Sequence, residues 1–212
     1  DYRTAATGWA DAATIIPWNH YMAFGNIQIL EQQYDSMKGW VDYMVSQSKD
    51  RGWLWNNGSH YGDWLFYSLS NDPGGQSAVT SSHLVAQCFF AHSADLVCRT
   101  AQLLGKQSDA DYYAEVAAKV REAYMNEYVT PNGLISSDTQ TAYVLSLQFN
   151  MLPEALRAQA VDRLVANIER YSNHITTCFL GTSDICKVLT EDGRREMAYK
   201  LLLQETFPSW IY

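Results

Sequence analysis

Ile27, Leu30, Tyr34, Met37, Val41 and Met44 recur every three or four residues, the spacing that gathers apolar side chains on one stripe of an α-helix. Runs of this kind fill most of the chain and limit its fold more than any other feature. They predict helices over about 11–24, 26–48, 81–104, 108–128, 138–150, 153–171, 182–190 and 193–204. Gly25 and Gly105 end the first and third runs, and Pro153 opens the sixth at its first turn. Pro17 predicts a kink or a late start in the first. Asn26 is placed to cap the second, and Asp138 to cap the fifth by accepting from the N–H of Gln140 or Thr141. Short turns join the runs in successive pairs, and longer polar connections separate the pairs, so the eight helices read as four antiparallel hairpins. The third and fifth runs are apolar on most sides, whereas the fourth and sixth are amphipathic and charged. That alternation is what an inner and an outer layer of a helical toroid require. No fixed-period repeat marks a solenoid of the tetratricopeptide type.

The chain has 212 residues, of which 47% are hydrophobic and 18% charged, a globular rather than a disordered profile. Its net charge of -8 disfavours nucleic acid and anionic membrane surfaces as partners. No run of about 18 apolar residues marks a membrane span. The opening Asp1-Tyr2-Arg3-Thr4 carries no signal-peptide pattern, and the chain reads as a fragment or processed product whose compartment stays open. Cys88, Cys98, Cys178 and Cys186 lack metal-site spacing and are expected as buried free thiols; Cys88 and Cys98 lie too far apart along one helix to bridge. The five histidines are scattered, so no metal and no cofactor is expected. Pro73-Gly74-Gly75 lacks the Lys-Ser/Thr of a phosphate loop, and no serine stands in a nucleophile elbow.

Two couples of an indole and a carboxylate stand out. Gly8-Trp9-Ala10-Asp11 precedes the first helix, and Gly62-Asp63-Trp64 lies in a stretch over 51–80 rich in Gly, Asn, Ser and Asp. A stretch of that length inside a compact domain is more often functional than idle. An indole face packs on the C–H face of a sugar ring, and a neighbouring carboxylate takes its hydroxyls. Trp9 and Trp64 are therefore either walls of a sugar pocket or indoles of the core. Asp11 either bonds sugar hydroxyls or caps the first helix, and Asp63 either orients a sugar or holds its loop. His60 and Tyr61 are expected as solvated residues at the loop's rim, and His174 as a buried, satisfied histidine.

Gly8-Trp9-Ala10-Asp11-Ala12, Ile16-Pro17-Trp18, Leu30-Glu31-Gln32-Gln33-Tyr34, Trp40-Val41-Asp42-Tyr43 and Tyr61-Gly62-Asp63-Trp64-Leu65 together resemble the bacterial α-L-rhamnosidases of glycoside hydrolase family 78. Asp138-Thr139-Gln140-Thr141-Ala142-Tyr143, His174-Ile175-Thr176-Thr177 and the block from Ala198 to Thr206 with Pro208-Ser209-Trp210 extend the resemblance, in order, over the whole chain. It implies an all-α fold, an (α/α)6 toroid of six helical hairpins, with about four of them in residues 1–212 as one partial catalytic domain. It also implies inverting hydrolysis of terminal α-L-rhamnose, in which one carboxylic acid protonates the leaving oxygen and a second carboxylate activates water. The family's acid block precedes its Gly-Trp-Ala-Asp segment and its base follows its Pro-Ser-Trp segment, so no catalytic residue is expected among these 212. Trp9, Asp11, Asp63 and Trp64 are then the candidate rhamnose-binding residues, and Glu205 is structural. The expected partners are a rhamnose-containing glycan or glycoside, and either the rest of the parent chain or a second copy that covers apolar faces of the unclosed ring. Another glycoside-active enzyme on an α/α toroid, or a non-catalytic helical sugar-binding or interaction module, remains the alternative.

Overall fold

The computed structural model describes residues 6–64 and 80–212; Pro73-Gly74-Gly75 falls outside them. Among the described residues there is no β-strand, only an isolated antiparallel bridge between Val129 and Ile135. The helices are α1 (Ala12–Phe24), α2 (Gln28–Ser48), α3 (Ser82–Leu103), α4 (Gln107–Tyr128), α5 (Gln140–Gln148), α6 (Glu154–Arg170), α7 (Phe179–Thr182), α8 (Ile185–Glu191) and α9 (Arg195–Leu202). Eight match the predicted runs. The short α7 is additional, too brief for a helical period to register in sequence.

The residues form two compact units, one of Asp1–His60 with Ala86–Tyr124, the other of Tyr61–Val85 with Met125–Tyr212. In the first unit α1 packs on α2. Helix α1 starts before Pro17 and runs through it, so the late start does not occur; the proline ring is buried, and its lack of an N–H removes a single helical donor. Gly25 ends the helix in the left-handed region, at φ 67°, where its N–H reaches the Tyr21 carbonyl at 2.7 Å. Asn26 does not cap α2: the N-cap is Ile27, whose carbonyl takes the first helical bond, and Asn26 stands one residue outside it with its Oδ1 accepting from the Gln28 N–H at 3.0 Å. The predicted stripe of α2 is its buried face: Leu30, Tyr34, Met37, Val41 and Met44 are buried, although Ile27 stays exposed. Phe90, Ala94 and Val97 of α3 and Tyr113, Val116 and Val120 of α4 complete this core, and Arg121 pairs with Asp95 across the two helices.

In the second unit α5 packs on α6 and α8 on α9. Every residue of α5 from Gln140 to Leu147 is buried, the all-round burial expected of an inner helix. Helix α6 buries one side only, through Ala160, Val161, Leu164, Asn167 and Ile168. Asp138 does not cap α5. Ser137 and Asp138 take positive φ values of 76° and 45°, so the chain enters the helix one residue later than expected. Thr139 is the N-cap, its side chain accepting from the Ala142 N–H at 3.2 Å. The Asp138 carboxylate accepts the Tyr143 hydroxyl instead and faces Arg170.

Candidate functional site

In the first unit Trp9 sits on a tight turn from Thr7 to Asp11. The Gly8 N–H donates to Asp11 Oδ2 at 2.8 Å and closes the turn, with Gly8 at φ 85°. Asp11 Oδ1 takes two further donors, the Trp40 indole N–H at 2.8 Å and the Ser93 hydroxyl at 2.6 Å. Thr14 extends the cluster, its hydroxyl 2.8 Å from that of Ser93. Asp11 is fully buried, and burial pushes its carboxyl above the ordinary range while the bonds from Ser93, Trp40 and Gly8 pull it down. Its side chain makes no capping bond to α1. Both oxygens are spent on holding the turn against α2 and α3. Trp9, on that turn, is 41% exposed.

A chain of aromatic rings backs this turn. Trp40 stacks on Tyr43 and meets Trp55 edge-on, and Trp55 meets His60 edge-on at 4.5 Å between centroids. Gln87 anchors the loop from beneath. Its side chain accepts from the Trp55 N–H at 3.0 Å and donates to the carbonyls of Trp53 and Val120. His60 is half-buried and bonded to Thr7 and Asn57, so the expectation of a solvated rim residue is overturned for it.

In the second unit Asp63 is also fully buried. Its Oδ2 accepts the Thr141 hydroxyl at 2.5 Å and its Oδ1 accepts the Cys178 N–H at 3.2 Å. Burial pushes its carboxyl up to about 6, against the pull of those two bonds. Asp63 thereby ties its loop to the head of α5 and to the residue ahead of α7. Trp64 follows it, half-buried, with the exposed Tyr61 ring edge-on at 5.5 Å. Gly181 packs against Thr141 and Thr177, and the hydroxyls of Thr177 and Thr182 bond each other. His174 is satisfied as expected but only half-buried, with Nδ1 at the Tyr171 carbonyl and Nε2 at the Thr206 hydroxyl.

The whole chain, residues 1–212, matches the family model for the bacterial alpha-L-rhamnosidase 6 hairpin glycosidase domain. The chain belongs to this family. Among curated relatives of the six-hairpin domain, an alpha-L-rhamnosidase of Streptomyces avermitilis is 42% identical over 97% of this chain and 18% of its own length. One from Formosa agariphila is 39% identical over 98% of this chain and 22% of its own. The chain thus spans about a fifth of the relatives it matches. A crystal structure of the Streptomyces avermitilis enzyme complexed with L-rhamnose superposes with a TM-score of 0.88 at 41% identity, covering 98% of this chain and 19% of that one. The native enzyme of Aspergillus terreus gives 0.89 at 32% identity, over 95% of this chain and 23% of its own. The all-α hairpin reading of this six-hairpin domain therefore holds.

The sequence singled out both aspartates and offered the loop-holding role of Asp63 as one of two readings, but not the turn-holding role of Asp11. It could not pair them with Trp40, Ser93 and Thr141, nor His60 with Thr7, because each partner lies far away in the chain. All four cysteines are free as expected, Cys88 and Cys98 buried but Cys178 and Cys186 only partly so. Among the described residues no cluster of His, Cys, Asp and Glu could hold a metal, and no helix is long and apolar enough to cross a membrane.

Proposed function

We propose that residues 1–212 are one part of the catalytic domain of an α-L-rhamnosidase, a glycoside hydrolase that releases terminal α-L-rhamnose from glycans or glycosides with inversion. The observation that carries this reading is the similarity along the whole chain to an enzyme solved with L-rhamnose. Trp9 and Trp64 supply apolar walls for the sugar ring. Asp11 and Asp63 contribute by holding the turns that carry those indoles, since the oxygens of each already accept protein donors. Inversion needs an acid and a base carboxylate roughly 6.5–9.5 Å apart with room for water between them. Asp11 and Asp63 are each buried with both oxygens accepting protein donors, so neither is assigned that chemistry, and the acid and the base are assigned to parts of the protein outside these residues. The remaining hairpins of the ring, or a second copy, are the partners that cover exposed apolar residues such as Phe24, Phe179 and Leu203.

The test is hydrolysis of an aryl α-L-rhamnoside by the protein expressed from its whole gene, with the anomer of the first product followed by NMR. Release of β-L-rhamnose is the expected result. Cleavage of another glycoside with none of rhamnosides would reassign the substrate to a different enzyme of the same ring. Binding of L-rhamnose without turnover would favour a sugar-binding module.

A further inference from the structure

His60 is bonded at both ring nitrogens. The Thr7 amide N–H donates to Nδ1 at 3.3 Å, and the Thr7 hydroxyl lies 2.9 Å from the same atom. Nε2 faces the Asn57 carbonyl at 3.0 Å. An N–H donor at one nitrogen and a carbonyl acceptor at the other fix the tautomer: Nδ1 keeps its lone pair and Nε2 carries the proton. The ring stands edge-on to Trp55, Trp55 stands edge-on to Trp40, and the Trp40 indole donates to Asp11. One line of rings, His60–Trp55–Trp40, therefore grips the Thr7–Asp11 turn at both of its ends, with Trp9 between them.

We infer that His60 is a positioning residue for Trp9: by accepting from Thr7 at Nδ1 while donating to Asn57 at Nε2, it fixes the upstream end of the turn that presents the indole to the sugar. The inference rests on the reading of Trp9 as a wall of the rhamnose site. Trp9 belongs to a turn rather than to a helix. The Ala10 N–H closes that turn on the Ala6 carbonyl at 2.9 Å, and Asp11 ties it to α2 and α3. His60 adds a side-chain tie from the buried Thr7 to the Asn57 loop, and an indole wall works only when its plane is held. The two anchors are also chemically separate. Asp11 acts from the residue just before α1 and His60 from the loop that ends at Asn57-Gly58-Ser59-His60, fifty-three positions from Thr7.

The tautomer supplies the test. In His60→Asn a side-chain oxygen can stand where Nδ1 stands and still accept from Thr7. In His60→Gln the longer amide keeps a donor for Asn57 and withdraws from Thr7. Both variants are made in the protein expressed from its whole gene. The readouts are KM and kcat on an aryl α-L-rhamnoside, and amide hydrogen exchange over residues 7–9. We expect His60→Gln to raise KM roughly three- to tenfold with kcat nearly unchanged, the loss of one hydrogen bond's share of binding. Exchange over residues 7–9 should quicken in the same variant, while His60→Asn stays near wild type in both readouts. Equal impairment of the two variants would reduce His60 to a structural filler, and an unchanged KM beside faster exchange would show that Trp9 needs no such hold. Either result overturns the inference. If the wild-type protein cleaves no rhamnoside, the functional reading fails, while exchange still decides whether His60 holds the turn: quicker exchange in His60→Gln alone supports the hold and unchanged exchange overturns it. If His60→Gln does not fold, His60→Asn decides, with a near-normal KM in support and a roughly tenfold rise against.

Discussion

The Thr141 hydroxyl donates to Asp63 Oδ2 at 2.5 Å, joining residues 78 positions apart and tying the Gly62-Asp63-Trp64 loop to the inner helix α5. This bond and that from the Cys178 N–H only partly offset the cost of burying a carboxylate, so Asp63 holds its proton up to about 6 rather than the ordinary 3.8. Below that ordinary value both the folded and the unfolded chain are protonated at this site. As pH rises toward 6 the unfolded chain ionises first, so stability is lost with rising pH and the loss is complete above the folded value.

The variant Asp63→Asn should therefore gain on the wild type between pH 4.5 and 8, by about 2–3 kcal/mol at most. Asparagine can keep both contacts, because its oxygen accepts from Cys178 and the Thr141 hydroxyl can turn to accept from its amide. Denaturation of the two proteins at each pH measures the gap. Parallel stability profiles would contradict the assignment.

The same substitution at Asp11 should behave in the opposite way. Three donors converge there, two on Oδ1 and the Gly8 N–H on Oδ2. An amide at that position sets an N–H against an N–H whichever way it is turned, and the backbone and indole donors cannot rotate to accept. We expect Asp11→Asn to cost about 1–3 kcal/mol at neutral pH, with quicker exchange of the Gly8 amide. A variant as stable as the wild type would mean that the turn does not need the carboxylate.

The contrast between these aspartates shows what the sequence could carry and what it could not. The stripe of Leu30, Tyr34, Met37, Val41 and Met44 was legible because helical burial repeats along the chain every three or four residues. The all-round burial of α5 followed from its lack of a polar side. The pairing of Asp11 with Ser93 and of Asp63 with Thr141 could not be read, since neither partner stands in any spacing relation to its aspartate. Asp138 and Thr139 are neighbours with equal capping chemistry, and a positive φ at Asp138, a backbone property, decides between them. His60 looked like a loop residue because its polar surroundings in sequence resemble solvent. Its partner Thr7 is brought to it only by the fold.

Gly181→Ala should disturb the Asp63 contact from outside. A Cβ at Gly181 would stand 2.9 Å from Thr141 Oγ1 and 2.9 Å from Thr177 Cγ2, and both threonines are buried. Neither can yield without moving, so overpacking of about 1–3 kcal/mol is expected. Because Thr141 is the donor to Asp63, the penalty should depend on what occupies position 63. A double-mutant cycle of Gly181→Ala with Asp63→Asn should show coupling of about 0.5 kcal/mol or more. Simple additivity would separate the glycine from the aspartate's bond.

Trp9 and Trp55 lie in one unit and separate binding from stability. Trp55 is 2% exposed within the ring chain, whereas Trp9 is 41% exposed on its turn. Truncating Trp55 to alanine opens a cavity among Trp40, His60 and Phe90 and should cost about 3–5 kcal/mol. Truncating Trp9 removes a surface that is already partly wet and should cost stability no more than about 1 kcal/mol. If Trp9 forms a wall for the sugar, its loss falls on substrate binding instead, with KM on an aryl α-L-rhamnoside raised roughly tenfold or more. Thermal midpoints beside steady-state kinetics for Trp9→Ala and Trp55→Ala measure both quantities. A Trp9→Ala protein that is markedly less stable with an unchanged KM would place this indole in the fold rather than in the site.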